Sequence, residues 1–205
     1  MKEKFLALVN LKSEELRLAF SLWVLIAVNT FVLELADVVA TAGFVGHLGV
    51  DRIPWLWIVT TIITIFAAGF YLVFIDRYQR LQLVTWLLTG LAILYLLLEF
   101  LFAFNAPTWL TYPSLYLLAD QQFMILPLAF WALASDVFDV TESKRVFPFI
   151  ASGAVIGGLL GNGAAALVTY LAEKYTFGLT QIFIAIAIVL IASVLYLRII
   201  FNKVT

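Results

Sequence analysis

Four carboxylates lie inside long apolar stretches of this 205-residue sequence. Glu34 and Asp37 are three residues apart, so both fall on one face of a helix. Glu99 and Asp120 lie in two further stretches, and Gln121 follows Asp120 directly. An ionised carboxylate in hydrocarbon costs at least ~2.5 kcal/mol, so such an acid must be protonated, face water or bind a cation. These five residues are therefore candidates for a substrate or cation site.

A second interpretation of the acids stays open. In it Asp37 and Glu99 reach the membrane interface, while the other two acids make buried hydrogen bonds, because helix ends predicted from a sequence are uncertain by several residues. No Lys or Arg lies at the depth of the acids. Burial against protein or water is the cheaper option for a membrane carboxylate, so we expect Glu34 and Asp120 to face the interior of a helix bundle.

Six apolar runs must position these acids. The hydrophobic fraction of 64% and the mean hydropathy of +1.08 exclude an ordinary soluble domain. The runs are continuous and each exceeds the ~20 residues that a helix needs to cross a bilayer, which favours helices over a barrel. They cover residues 18–44, 53–75, 81–104, 110–134, 146–171 and 177–201. We predict an all-α integral membrane protein whose residues 1–205 form a single domain.

The positions of the basic residues predict the orientation of the chain. If the first run exits outward, every Lys and Arg except Arg52 and Lys174 is cytoplasmic. Cytoplasmic loops are enriched in these residues, so both termini are expected inside, in a bacterial inner (plasma) membrane. Residues 1–17 are predicted to be a cytoplasmic segment, either an amphipathic surface helix or partly ordered chain. Pro113 is expected to open helix 4, and residues 136–145 to form the longest inner loop.

Three glycines in the fifth run predict close helix packing. Gly153, Gly157 and Gly161 are four residues apart and share one face of a helix. Lipid supplies no hydrophobic drive for helix association, so small residues that allow two backbones to approach favour a tight interface. A direct role of these glycines in substrate binding is the alternative.

Charged residues cluster at two predicted inner turns. Asp76, Arg77 and Arg80 connect helices 2 and 3, and Lys144 and Arg145 precede helix 5. Asp76 is predicted to cap helix 3. The two arginines are predicted to fix the orientation of the chain in the membrane, with a role in gating as the alternative. Lys144 and Arg145 are predicted to anchor helix 5 at the inner face through lipid headgroups.

The sequence shows no pattern typical of an enzyme or a metal site. There is no phosphate-binding glycine loop outside the membrane and no nucleophile–base pair, so we expect no catalytic residues and no cofactor. His47 is the single histidine and cysteine is absent, which argues against a metal site. His47 is predicted to cap the outer end of helix 1, with a proton relay as the alternative. No basic patch points to nucleic acid.

Several segments carry a family resemblance. Residues 131–139 read WALASDVFD, residues 144–150 read KRVFPFI, and the glycine-rich helix 5 follows. Val45-Gly46 precedes the outer turn, and Asp76-Arg77 with Arg80 lies between helices 2 and 3. In these segments the chain resembles the nucleotide (ATP/ADP) translocase-like branch of the major facilitator superfamily. The resemblance covers nearly the whole chain and the N-terminal six-helix half of such a transporter. It implies two three-helix units related as an inverted repeat.

Two hypotheses for function follow. The first is a membrane transporter-like half-unit, proton- or cation-coupled, that acts in a dimer or larger assembly; the acids and a kink expected at Pro127 favour it. The second is a non-transporting structural or scaffold subunit of a larger membrane complex. The lack of basic residues at membrane depth to meet nucleotide phosphates favours the second. The expected partners are the lipid bilayer and a second copy or other membrane subunits, and the sequence does not identify a small-molecule substrate.

Overall fold

Most of the described chain is helical, and no strand occurs among the described residues. The structure, a computed structural model, describes residues 12, 15–75, 77–175 and 181–201, with the backbone alone for 171–175 and 181. Its α-helices are α1 (Leu16–Leu48), α2 (Ile53–Ile75), α3 (Arg80–Ala103), α4 (Thr108–Val137), α5 (Val140–Tyr175) and α6 (Gln181–Phe201), and a short 3-10 helix (Val50–Arg52) connects α1 to α2. All six are long and apolar enough to cross a membrane. The predictions of an all-α fold and of an integral membrane protein are therefore confirmed. Most of the segment 1–17 lies outside the described residues.

Helix α1 forms the centre of the bundle. It packs most extensively on α5 and also contacts α4 and α6, while α3 packs on α6 and α4. Small residues at the contacts, such as Ala19 and Ala36, are fully buried. Helix α2 packs mainly on α4, and most of its side chains, including Trp55 and Phe66, are exposed. We call the end of the bundle that holds Leu48 the outer end, following the predicted orientation.

The start of α4 differs from the sequence prediction. Pro107 is the N-cap residue, with φ −56° and ψ 137°, and the helix begins at Thr108. Pro113 therefore lies inside α4 rather than at its start. The residue before a helix needs non-helical dihedral angles, and Pro107 holds that conformation. The helix continues through Pro113 and Pro127 to Val137.

The connection between α4 and α5 is much shorter than predicted. Residues 136–145 are not a loop, because α4 ends at Val137 and α5 begins at Val140. Asp139 Oδ1 accepts hydrogen bonds from the backbone N–H groups of Thr141 and Glu142, both at 2.7 Å. Glu142 Oε2 accepts the N–H of Asp139 at 3.1 Å in return. This capping box satisfies the first orphan donors of α5 and starts the helix ahead of its apolar run.

Candidate functional site

The glycine face of α5 lies directly against the backbone of α1. A Cβ atom added to Gly161 would be 2.5 Å from the carbonyl oxygen of Phe31, and one added to Gly157 would overlap the backbone of Ala27. At Gly153 the corresponding distance, to a carbonyl oxygen of α1, is 2.6 Å. These glycines let the two helices approach more closely than any side chain would permit. Packing of these glycines on the backbone of α1 determines which residues of α1 face α5 and which do not.

Glu34 lies at the edge of this contact. Its carboxylate Oε2 accepts a hydrogen bond from Asn162 Nδ2 at 2.8 Å, and the same amide donates to the carbonyl of Gly158 at 3.0 Å. A Cβ atom on Gly161 would be 2.9 Å from Glu34 Cβ. Helix α5 therefore positions Glu34 through both packing and a hydrogen bond. Sequence reasoning did not single out Asn162, although it is the one amide within the glycine-rich stretch.

Polar residues form a stripe along α1. Thr30, Glu34, Asp37 and Thr41 follow the i, i+4, i+7, i+11 spacing that keeps side chains on one helical face. Asp37 is exposed, and it interacts electrostatically with Glu34 and with Asp120 of α4. The structure thus brings together acids from the first and fourth helices. We call Glu34, Asp37 and Asp120, together with Asn162, the acidic face.

Asp120 lies beside a contact between α4 and α2. Gln121 Nε2 donates to Thr64 Oγ1 at 2.8 Å and approaches Asp120 Oδ2 at 3.4 Å. Gln121, predicted as a candidate site residue, therefore holds α2 against α4 next to the acidic face.

The four acids differ in burial. Glu34, Glu99 and Asp120 are partly buried, whereas Asp37 is exposed. The interior positions at this level of α1 are taken by apolar residues such as Ala36, which is fully buried. On α4 the interior positions belong to Ala119 and Gln122.

The acidic face lies near the middle of the helices that carry it. Counted at 1.5 Å per residue from the middle of α1, Glu34 is ~3 Å and Asp37 ~8 Å towards the outer end. By the same count Asp120 is ~4 Å from the middle of α4, and Asn162 is ~7 Å from the middle of α5. These distances are all smaller than the ~15 Å half-thickness of the hydrocarbon core. If the middle of each helix lies at the middle of the bilayer, the acidic face is embedded in the membrane.

A buried polar pair lies behind this face. Tyr95 of α3 and Gln122 of α4 are almost completely inaccessible, and the Tyr95 hydroxyl donates to Gln122 Oε1 at 2.8 Å. The same tyrosine interacts electrostatically with Asp37. Glu99, the fourth predicted acid, lies one turn beyond Tyr95 towards the outer end of α3 and is partly buried. The acids that interact electrostatically with Asp37 are Glu34 and Asp120.

Two ion pairs join the inner ends of the helices. Arg80 Nη1 lies 2.5 Å from Asp136 Oδ1 and also donates to the carbonyl of Ala132 at 3.3 Å, which ties α3 to α4. Arg145 Nη2 lies 2.6 Å from Glu15 Oε1, which ties α5 to α1. Arg145 thus contacts an acid of the chain itself, whereas we expected lipid headgroups. Glu15 is almost completely buried, and a buried carboxylate needs a charged partner.

Two further residues predicted at the inner face lie at the surface of the bundle. Arg77 and Lys144 are exposed. Asp76 lies outside the described residues, and so does the prediction that it caps α3. The N-cap position of α3 is occupied by Gln79, whose side chain makes no capping hydrogen bond.

His47 is bound at the outer end of α1. Its Nδ1 lies 3.0 Å from the carbonyl oxygen of Gly43, one turn back. The hydroxyl of Tyr112 lies 3.1 Å from Nε2, and the two rings stack with centroids 4.1 Å apart. The imidazole thus hydrogen-bonds the last turn of α1 and joins it to α4.

No metal site or known relative identifies the site further. Within the part of the chain that the structure describes, no three His, Cys, Asp or Glu residues are grouped to hold a metal ion. Comparisons of the chain with protein-family models, with curated proteins and with solved structures gave no match.

Proposed function

We propose that the chain is a transport-type unit of six helices, in which the acidic face forms one wall of a proton- or cation-coupled translocation path. The observation that carries the proposal is the exposure of Asp37 on the surface of the bundle at hydrocarbon depth. Ionisable residues within membrane spans generally face a bundle interior or a water-filled cavity. A cavity between this unit and a second one would provide that environment.

The helix pairing supports the same architecture. Exchanging α1, α2 and α3 for α4, α5 and α6 maps the contact α1–α5 onto α4–α2 and the contact α1–α6 onto α4–α3. The contacts α1–α4 and α3–α6 map onto themselves, and all of these contacts occur. Such a pattern is expected of two three-helix units related as an inverted repeat, as in major facilitator transporters. It accords with the resemblance of the sequence to the ATP/ADP translocase-like branch and with cytoplasmic termini.

The roles of the acids follow from their surroundings. Asp37 is the most accessible and would take up the proton or cation from the path. Glu34 is held by Asn162 and would sustain a negative field beside Asp37, with Asp120 contributing from α4. Alternating access would expose these groups to each side in turn as this unit rocks against the second one.

Proton flux tests the proposal without a known substrate. The protein is purified in mild detergent, its assembled mass is determined, and it is reconstituted in liposomes that contain a pH-sensitive dye. We expect an assembly larger than one chain and a potential-driven flux at two pH values that Asp37→Asn abolishes. Asp51→Asn, in the short 3-10 helix Val50–Arg52 that connects α1 to α2, is the matched control and should retain the flux. A single chain without a partner, or flux that is insensitive to Asp37→Asn, would contradict the proposal.

A scaffold subunit is the second candidate, favoured by the apolar surfaces of the bundle. Helix α2 exposes most of its apolar side chains. A groove of about 530 Å³ between α3 and α4 is lined mainly by leucines, together with Trp86, Gly90 and Ile125 and two polar residues, Ser114 and Gln121. A partner seated on these surfaces through a sealed apolar contact, with no proton or cation flux, would favour this candidate.

A further inference from the structure

We infer that the groove between α3 and α4 binds one acyl chain of an anionic phospholipid, whose headgroup lies beside Arg77 at the inner end of the bundle. The inference concerns a surface other than the acidic face and does not depend on the proposed function. It also assigns the groove an occupant different from the protein partner of the scaffold candidate. It rests on the shape of the groove, on the free space at Gly90 and on the groups at the inner end.

The groove has the dimensions of a single hydrocarbon chain. On α4 its lining runs from Ser114 to Leu126, a rise of ~18 Å at 1.5 Å per residue. A volume of about 530 Å³ over that length gives a mean cross-section of ~30 Å². A transmembrane helix is ~10 Å across and has a cross-section of ~80 Å², so it is too wide to enter. A row of methylene groups, whose carbons contact their neighbours at ~4 Å, fits.

Gly90 keeps the groove continuous along α3. It lines the groove, and a Cβ atom added to it would have nothing within 4 Å, whereas one added to Gly157 would overlap the backbone of Ala27. The glycine at position 157 is therefore needed for helix packing, but the one at position 90 is not. A larger side chain at position 90 would instead occupy the space in which we place the acyl chain.

Hydrogen-bond donors lie at the inner end of the groove. Trp86 lines that end, is 52% exposed, and packs edge-on against Tyr78 with ring centroids 4.9 Å apart. Neither the indole N–H of Trp86 nor the hydroxyl of Tyr78 has a hydrogen-bond partner among the described residues. Tryptophan and tyrosine near the ends of membrane spans lie at the level of the lipid headgroups. The ester and phosphate oxygens of a phospholipid are acceptors that match these two donors.

Arg77 provides the charge that favours an anionic headgroup. It is exposed and adjoins Tyr78 in the turn between α2 and α3. Arg80 pairs with Asp136, whereas Arg77 has no ion-pair partner within the described part of the chain. A lipid tail gains no hydrophobic energy by moving from the bilayer into a leucine-lined groove, because both surroundings are equally apolar. The headgroup therefore decides which lipid is retained, and basic residues at the membrane surface attract anionic lipids.

Retention of lipid by the purified protein tests the headgroup. The protein in mild detergent is incubated with phosphatidylglycerol or phosphatidylcholine of identical acyl chains, and bound lipid is measured by native mass spectrometry. We expect one phosphatidylglycerol per chain, bound about five-fold more tightly than phosphatidylcholine, since one basic residue near a membrane surface contributes ~1 kcal/mol. Arg77→Gln should remove this preference. Arg198→Gln changes another exposed arginine, in the last turn of α6, and should keep it.

A second pair of variants tests the position of the acyl chain. Gly90→Leu fills the groove and should abolish retention of the tightly bound lipid. Gly69→Leu adds the same side chain to the exposed surface of α2, where a Cβ atom also has nothing within 4 Å, and should retain the lipid. Without added lipid, both variants should melt no lower than the original protein, because leucine favours a helix more than glycine does. That measurement separates lost binding from lost folding.

Three outcomes would overturn the inference. The first is equal binding of the two lipids by the original protein. The second is lipid retention that Gly90→Leu leaves unchanged or that Gly69→Leu abolishes as well. The third is a second copy or another membrane protein that occupies the groove and is displaced by Gly90→Leu, a result that would favour the scaffold candidate. Lipid retention does not require proton flux, so failure of the flux experiment would leave this inference intact.

Discussion

The side-chain amide of Asn162 donates to the carboxylate of Glu34 at 2.8 Å and joins residues that are 128 positions apart in the sequence. The bond lies at the margin of the glycine contact, where Gly161 leaves room for the Glu34 side chain. The position of Glu34, a candidate functional residue, therefore depends on the packing of α5 against α1. Changes that loosen α5 from α1 should also displace Glu34.

A double-mutant cycle measures this coupling. Glu34→Ala and Asn162→Ala, made singly and together, should show an interaction energy of ~0.6 kcal/mol and at most ~1.7 kcal/mol, the range found for polar contacts between membrane helices. The free energy of unfolding in mixed detergent micelles provides the measurement. Thr169→Ala replaces Asn162→Ala in the control cycle, because Thr169 bonds only within its own helix, to the carbonyl of Ala165. Additive effects of Glu34→Ala and Asn162→Ala would show that the bond does not contribute.

Adjacent glycines of α5 should respond differently to alanine. A Cβ atom at Gly157 overlaps the backbone of Ala27, whereas one at Gly158 is 3.6 Å from the methyl group of Thr30, an ordinary contact. We expect Gly157→Ala to destabilise the bundle by ~1–3 kcal/mol through overpacking. Gly158→Ala should be neutral or slightly stabilising, since alanine has the higher helix propensity. Thermal unfolding in detergent compares the two, and equal melting temperatures would argue against the tight contact.

The two inner ion pairs should differ in their contribution to stability. The Glu15 side chain is 4% exposed and that of its partner Arg145 24%, whereas Asp136 is 48% exposed and Arg80 34%. Arg145→Gln leaves a buried carboxylate without its partner and should cost ~3–5 kcal/mol. Arg80→Gln breaks a solvated pair and should cost about 0–1 kcal/mol.

Rescue of the buried pair provides the control. Combining Glu15→Gln with Arg145→Gln removes both charges and should restore part of the lost stability, as measured by unfolding in detergent. If Arg80→Gln proved as harmful as Arg145→Gln, the assignment of Glu15 as a buried partner would be wrong.

The predicted orientation can be checked with single cysteines. Val50 and Val140 lie at opposite ends of the bundle, and both are highly exposed. A membrane-impermeant maleimide added to intact cells or right-side-out vesicles should label Val50→Cys directly. Val140→Cys should react only after the membrane is permeabilised, because the charge bias places it inside. The protein has no native cysteine to react in the background. The opposite labelling pattern would reverse the topology.

The sequence predicted the helices well but their ends less well. The second run matched α2 at both ends, because Pro54 and the charged turn at its other end bound a continuous apolar segment. The fifth run began several residues late, because Thr141 and Glu142 are polar although they belong to α5. The capping signature of Asp139 and Glu142 was present in the sequence and would have corrected that boundary.

The candidate site was only partly predictable. Helical spacing placed Glu34 and Asp37 on one face, but spacing within α1 cannot show which face α5 covers. The covered face depends on how the glycines of α5 contact α1. The same contact brings Asn162 within hydrogen-bond distance of Glu34. Hydrogen bonds between residues distant in sequence, such as that of Asn162 with Glu34, depend on the arrangement of the helices.

The pairing of α1 with α5 has a consequence for synthesis of the protein. About 90 residues separate the end of α1 from the start of α5, so the ribosome takes ~5–20 s to deliver the partner helix at ~5–20 residues per second. During that interval Glu34 lacks the hydrogen bond from Asn162. The nascent chain therefore needs another polar partner, such as water or the insertion machinery, for this carboxylate until α5 arrives.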